Sequence, residues 1–393
     1  MHRDLSALDA ALDEQGVDGY LIDAASDDSD QYYLSGFDAP DPFLTLYDGD
    51  VRLLFARSLE YGRAVEESAA TTVQRYVDFD HEAKIEAYGH REAVDRVHAD
   101  FLSAHGVDSV AVPPRFPLRT ADGLREQGIE VVPDEDGTIT EIRATKTDTE
   151  VDHIRTAQRA NEAAMERAET LIASAEIDEA GRLQYDGDVL TSERVKEAIE
   201  VTLLRHGCAL DETIVACGRD AADPHDRGSG PLVAGEPIIV DIFPRDKATK
   251  YHADMTRTFC RGEPTDTVRE WYDLTQRAKE AALEAVEPGV TGGAVHDAVC
   301  DVYEDAGLPT LRSDERTETG FIHSTGHGVG LDVHELPRVS PGGETLQPGH
   351  VITIEPGLYD PEVGGIRIED FVVVTEDGYE NLTDYSEQLV VGE

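Results

Sequence analysis

Two apolar runs, each carrying a carboxylate, constrain the fold of this chain more than any other feature. Pro237-Ile238-Ile239-Val240-Asp241-Ile242-Phe243 reads as a buried strand, yet it holds an aspartate. A lone buried carboxylate is costly, so Asp241 should be paired, protonated or bound to a metal, unless backbone amides satisfy it. After a short polar link, Tyr251-His252-Ala253-Asp254-Met255-Thr256-Arg257-Thr258 brings a second carboxylate, and the two segments read as a hairpin. The pattern returns near the C-terminus. Val351-Ile352-Thr353-Ile354-Glu355 ends in a carboxylate, and Gly364-Gly365-Ile366-Arg367-Ile368-Glu369-Asp370 enters a further strand. The separations are 254 − 241 = 13 and 369 − 355 = 14 positions. Two such hairpins predict a pseudo-twofold core with four carboxylates turned inward. Strand alternation puts Arg367 and Glu369 on one face, with Ile366 and Ile368 on the other.

Four carboxylates aimed into one site cannot all stay ionised without cations. Oxygen-rich sites suit Mn²⁺, Mg²⁺ or Ca²⁺, and an added imidazole shifts the choice towards Mn²⁺, Co²⁺ or Zn²⁺. The segment His323-Ser324-Thr325-Gly326-His327-Gly328-Val329-Gly330-Leu331-Asp332-Val333-His334-Glu335 supplies three histidines and shows neither a helical nor a strand period. Its glycines let backbone approach a site closely. A phosphate loop is the rival reading, but these glycines open no helix and no lysine accompanies them.

At 393 residues the chain allows two or three domains. The first part alternates strand-like and helix-like segments: Gly19 to Ile22, a hairpin of Phe43 to Tyr47 and Val51 to Phe55 around Asp48-Gly49-Asp50, a helix face of Val94, Val97, Phe101 and Leu102, then strands at 107–112 and 129–132. This reads as an α/β domain over 1–147 with no catalytic constellation, leaving packing, dimer contact or shaping of a site entrance as its roles. A second domain, 148–393, opens on a long helix marked by Ile154, Ala157, Ala160, Ala164, Ala168 and Leu171. Further helices are expected from about Ser192 to Arg205, from Asp266 to Val286, and around Val295, Val299, Val302 and Tyr303.

Charge narrows the function classes. Lys+Arg is 34 and Asp+Glu 82, a net −48, which repels nucleic acid and anionic membranes. The acids are spread along the whole chain and lysines number only six (84, 146, 196, 247, 250 and 279), as in a protein adapted to high salt. No run of 18 apolar residues reads as a membrane span, and Met1-His2-Arg3-Asp4 starts no apolar signal core, so a cytoplasmic protein is expected. Cys208, Cys217, Cys260 and Cys300 form no C-x-x-C pair and read as buried free thiols.

With these residues in view, the chain resembles the pita-bread metallopeptidases, the family of methionine aminopeptidases, aminopeptidase P and prolidase. The family's ligand order Asp, Asp, His, Glu, Glu is similar to Asp241, Asp254, His327, Glu355 and Glu369. Asp223-Pro224-His225, the run His323 to Glu335 with His334, and Arg367 two residues before Glu369 look like the proline-specific branch. Tyr32-Tyr33-Leu34-Ser35-Gly36-Phe37 resembles an N-terminal stretch of the same family.

The resemblance implies an α+β fold, with a pita-bread catalytic domain behind an N-terminal α/β domain of the creatinase type. It implies two divalent ions, Mn²⁺ first and Co²⁺ or Zn²⁺ as alternatives, about 3.5–4 Å apart and sharing a hydroxide. Asp254 and Glu369 would bridge them, Asp241 would serve one, and His327 and Glu355 the other. Glu355 would shuttle the proton, while His225 and His334 would orient substrate or steady the tetrahedral intermediate. Arg367 would fix that network or meet a substrate carboxylate. The expected substrate is an Xaa-Pro dipeptide or short peptide, and the expected assembly a homodimer. Two departures from the family, Phe243 followed by Pro244 and His350 before the Glu355 strand, bear on pocket shape.

A broader aminopeptidase, a hydrolase of another C–N bond and a non-catalytic binding protein stay open as alternatives. His252 is read as either a packing residue or a support for Asp254, and His323 as a structural partner of its loop. His2, His81, His90, His98, His105, His153, His206 and His296 read as ordinary surface or packing residues, and Trp271 as core.

Overall fold

The structure, a computed structural model, describes residues 4–392. His2 and the rest of Met1 to Arg3 lie outside the described residues. The chain packs as two units, one up to Arg143 and one from Ala144 onward.

The first unit is built on a six-stranded mixed sheet. Phe43–Tyr47 and Val51–Phe55 form the hairpin read from Asp48-Gly49-Asp50, with Gly49 at φ +95°. Gly19–Ala24 pairs antiparallel with Phe43–Tyr47 and parallel with Ser109–Val112. The helix His81–Ala104 lays Val97, Phe101 and Leu102 on Leu21, Leu44 and Leu54. Tyr32 to Ser35 close a short helix that stops at Gly36, whose φ of +63° suits a residue without a Cβ.

The second unit starts with the helix Asp148–Ala173. Thr147 accepts from the Glu150 amide while the Glu150 carboxylate accepts from that of Thr147, a reciprocal cap that sets where the helix begins. The stripe Ala160, Ala164, Ala168 and Leu171, together with Val195 and Ile199 of the helix Ser192–Arg205, covers Ile238, Val240 and Ile242. A second helix pair, Asp266–Ala285 and Gly292–Asp305, covers Ile352, Ile354 and Val372 with Trp271, Leu274, Val295 and Val299. Each buried Val, Leu or Ile among them contributes roughly 1.5–3 kcal/mol, enough to commit the apolar face of each strand to its helices. The opposite face is left for the carboxylates. A helix pair over a sheet thus occurs twice, once for each carboxylate-bearing hairpin.

Two local expectations change. Gly364 to Asp370 is not one strand. Gly364–Arg367 pairs with Gly357–Asp360, and Asp370–Thr375 pairs with Val351–Ile354. Between them the Glu369 amide donates to the Thr256 carbonyl (3.1 Å), which takes it out of both ladders. The glycine-rich segment does contain a strand, Gly326–Gly328, bulged at His327/Gly328. Its backbone runs so close to its neighbours that a Cβ on Gly326 would lie 2.0 Å from the Thr353 carbonyl oxygen, so bare glycine replaces the usual side-chain period.

Candidate metal centre

Asp241 sits one residue inside the end of Ile238–Ile242, and Asp254 directly precedes Met255–Phe259. The antiparallel register Asp241↔Thr256 and Ile242↔Met255 brings both to one end of the pair. Glu355 directly follows Val351–Ile354 and Glu369 directly precedes Asp370–Thr375, and Ile354↔Asp370 does the same for them.

The carboxylates of Asp241, Asp254 and Glu369 are buried, with one oxygen of each within 4.8 Å of the others. His327 Nε2 lies 3.9 Å from Asp254 Oδ2 and 3.4 Å from Glu355 Oε1. The five residues singled out by their order in the chain are therefore neighbours in space. His225 and His334 are exposed beside them. The His327 and His334 rings stand edge to face at 4.2 Å, and His225 acts with burial to pull the pKa of His334 down.

Two threonines orient these side chains, one in each hairpin. Thr256 Oγ1 donates to Glu369 Oε2 (2.8 Å) and accepts from Arg367 Nε (3.2 Å). Thr353 Oγ1 accepts from the His327 amide (3.1 Å) and donates to Glu355 Oε1 (3.3 Å). Arg367 spends its remaining N–H groups on Asp241 Oδ2 (2.6 Å), Tyr359 OH (2.9 Å) and the Pro224 carbonyl (3.4 Å), which joins the His225 loop to the carboxylates. Tyr359 OH also meets His323 Nε2 at 2.9 Å. Thr256, Thr353 and Tyr359 escaped the sequence reading. Tyr359, four residues after Glu355, had only its proximity as a signal, and a threonine in a strand carries none.

Burial first, then mutual repulsion, drives the pKa values of Asp254 and Glu369 well above the carboxylate range, and burial pushes Glu355 up to about 8. Burial lowers His327 to about 3. Such a set resists holding its negative charge unaided. Asp241 Oδ1 and Glu369 Oε1 are buried and have no hydrogen-bond partner among the described residues. His327 Nδ1 is bonded to the Gly328 carbonyl (3.1 Å), which fixes the tautomer with a lone pair on Nε2, facing the acids. Unsatisfied carboxylate oxygens and one neutral imidazole fit divalent cations.

The remaining residues fall to the periphery. His252 bonds to the backbone of Phe243. His350 is buried and accepts at Nδ1 from the Gln347 amide (3.2 Å), so this departure from the family pattern serves its own turn. His296, read as ordinary, meets Thr325 Oγ1 (2.9 Å) two residues before His327. The four cysteines are free thiols.

The sequence pattern that defines metallopeptidase family M24 matches residues 152–376, and that of the creatinase/prolidase N-terminal domain matches 5–145. The chain is 30% identical over 396 residues to an Xaa-Pro dipeptidase of Pyrococcus furiosus, covering 99% of this chain and 100% of that protein. The crystal structure of the prolidase from Pyrococcus horikoshii superposes with a TM-score of 0.78 at 26% identity, over 98% of this chain and 99% of that one. An X-Pro aminopeptidase from Thermotoga maritima shares the fold, with a TM-score of 0.77 at 24% identity over 96% and 98% of the two chains.

Proposed function

The chain is a metallopeptidase of family M24, in its prolidase branch, and on that footing we propose that it hydrolyses the Xaa-Pro bond of dipeptides or short peptides. One observation carries the reading: three buried carboxylates within 4.8 Å, two with unpartnered oxygens, beside an imidazole whose free nitrogen faces them. In the proposed assignment Asp241, Asp254, His327, Glu355 and Glu369 would together hold two cations. Mn²⁺ is the proposed metal, with Co²⁺ or Zn²⁺ as substitutes. Bound there, the cations supply Lewis acidity and acidify a water enough to provide the nucleophile near neutral pH.

The chain's own groups do the rest. Glu355, half-buried and held to a fixed geometry by Thr353, takes a proton and passes it to the departing proline nitrogen. His334 and His225, exposed at the site, orient the peptide and steady charge developing on the carbonyl oxygen before proline. Arg367 is committed to Asp241, Tyr359 and Pro224, which favours a role in fixing the site over capture of a substrate carboxylate. Proline's nitrogen carries no N–H in the peptide and its ring fixes the chain direction, so a dedicated pocket repays its selectivity. Family kinship also supports a homodimer in the cytoplasm, and the charge supports work at high salt.

The deciding experiment is hydrolysis of Ala-Pro beside Ala-Pro-Ala-Ala, in high salt with Mn²⁺ and a chelator control. Chelator-sensitive release of proline from Ala-Pro is expected. Cleavage of neither peptide by a metal-loaded protein overturns proline specificity.

A further inference from the structure

Among the six lysines of this acidic chain, Lys146 is buried in a place the reaction does not explain. Its side chain is 1% exposed, and Nζ donates to Glu335 Oε2 at 2.9 Å and to the Ala144 carbonyl at 3.3 Å. Glu335 is equally enclosed, at 3% side-chain exposure. Its other oxygen, Oε1, accepts from the Asp332 amide at 2.9 Å, closing the loop that runs up to His334. The loop is tied at its start as well, since the Gly330 carbonyl accepts from the His252 amide at 2.8 Å. Gly330 has no room for a side chain, because a Cβ there would lie 2.4 Å from Glu335 Oε2.

His334 itself is exposed, with its ring 4.2 Å from that of His327. The exposed His334 is thus followed directly by a buried carboxylate that closes its loop, and that carboxylate is paired with a lysine 189 positions away in sequence. A buried ion pair is a poor source of net stability, because desolvation offsets the attraction; its better-attested use is to specify one arrangement.

We propose that the Lys146–Glu335 ion pair is the positioning device that holds His334 at the substrate, so that loss of either charge weakens turnover through His334 alone. This rests on the reading of His334 as a substrate-orienting residue. Glu335 and Lys146 are positioning residues: they touch the loop, and the imidazole touches the peptide.

The test is a double-mutant cycle on kcat/KM for Ala-Pro in the metal-loaded full chain. His334→Ala measures the imidazole, and Glu335→Gln, which keeps the side-chain volume, measures its support. Each single variant is expected to lower kcat/KM about tenfold or more, with bound metal per chain unchanged and the pair no worse than His334→Ala alone. A merely structural glutamate would multiply with the His334 loss, and either that result or an unaffected Glu335→Gln overturns the proposal. An unaffected His334→Ala overturns it as well, by removing the role on which it rests, and is told apart because the fault then shows in the first variant. A double variant, Lys146→Met with Glu335→Leu, leaves no lone buried charge. Folded and impaired in kcat/KM with metal retained, it supports the positioning role; folded with wild-type kcat/KM, it refutes it.

Discussion

Arg367 Nη2 lies 2.6 Å from Asp241 Oδ2, and the same guanidinium reaches Thr256, the threonine that holds Glu369. One side chain therefore orients acids from both hairpins. Only a planar fork meets those partners together; an ammonium is a point donor on a flexible stem. Arg367→Lys is expected to lower metal affinity and kcat/KM by about 10–100-fold, the usual cost of losing a partner behind a ligand. Metal titration by calorimetry, beside kinetics, checks it; unchanged affinity would place Arg367 outside the ligand network.

Glu369→Gln removes one of three crowded, buried acids. Hydrolysis should fall by more than the roughly 10–100-fold expected for an outer partner, and bound metal should drop. In chelator the same variant should melt higher than the wild type, by about 2–4 °C for each kcal/mol of repulsion relieved. Calorimetric scans with and without metal read both effects, and retained hydrolysis would remove Glu369 from the site.

The acids also set a pH signature. Glu355 is raised from 4.5 to about 8, and Asp254 and Glu369 are raised well above their ordinary values. Groups with a raised folded pKa give stability that is complete below the unfolded pKa and is lost as pH rises through the folded one. The chelated protein should thus lose stability between pH about 4.5 and about 8. Cations replace the protons, so the gap in melting temperature between loaded and chelated protein should widen across that window. A gap independent of pH would contradict the raised pKa values.

A net charge of −48 predicts a salt response. Self-repulsion is screened over about 10 Å at 0.1 M and about 3 Å at 1 M ionic strength. Melting temperature and activity should both rise between these concentrations, equally in KCl and NaCl if screening is the cause. A flat response would mean that the acidic surface has another use.

Much of the site was legible in one dimension. A carboxylate in an apolar strand announces an unmet electrostatic need wherever it occurs, so Asp241 and Glu355 stood out, and spacing then drew in Asp254 and Glu369. The segment of three histidines and close-set glycines stood out as an imidazole source, and the family resemblance, not a local pattern, picked His327 within it. The partners that hold these groups did not stand out. Thr256 and Glu369 are 113 positions apart, Arg367 and Asp241 126, and Lys146 and Glu335 189.

The sequence by itself determined where the two hairpins and their helices form and which acids sit in apolar strands, because hydrophobic period and charge placement are local properties of the chain. The tertiary structure alone decided the rest: that Glu369 leaves its ladder for Thr256, that a glycine-rich stretch pairs as a strand, and that Lys146 meets Glu335 next to His334. Those outcomes depend on how closely distant backbones approach and on which hydrogen bonds are left for them to share, and no local pattern encodes that.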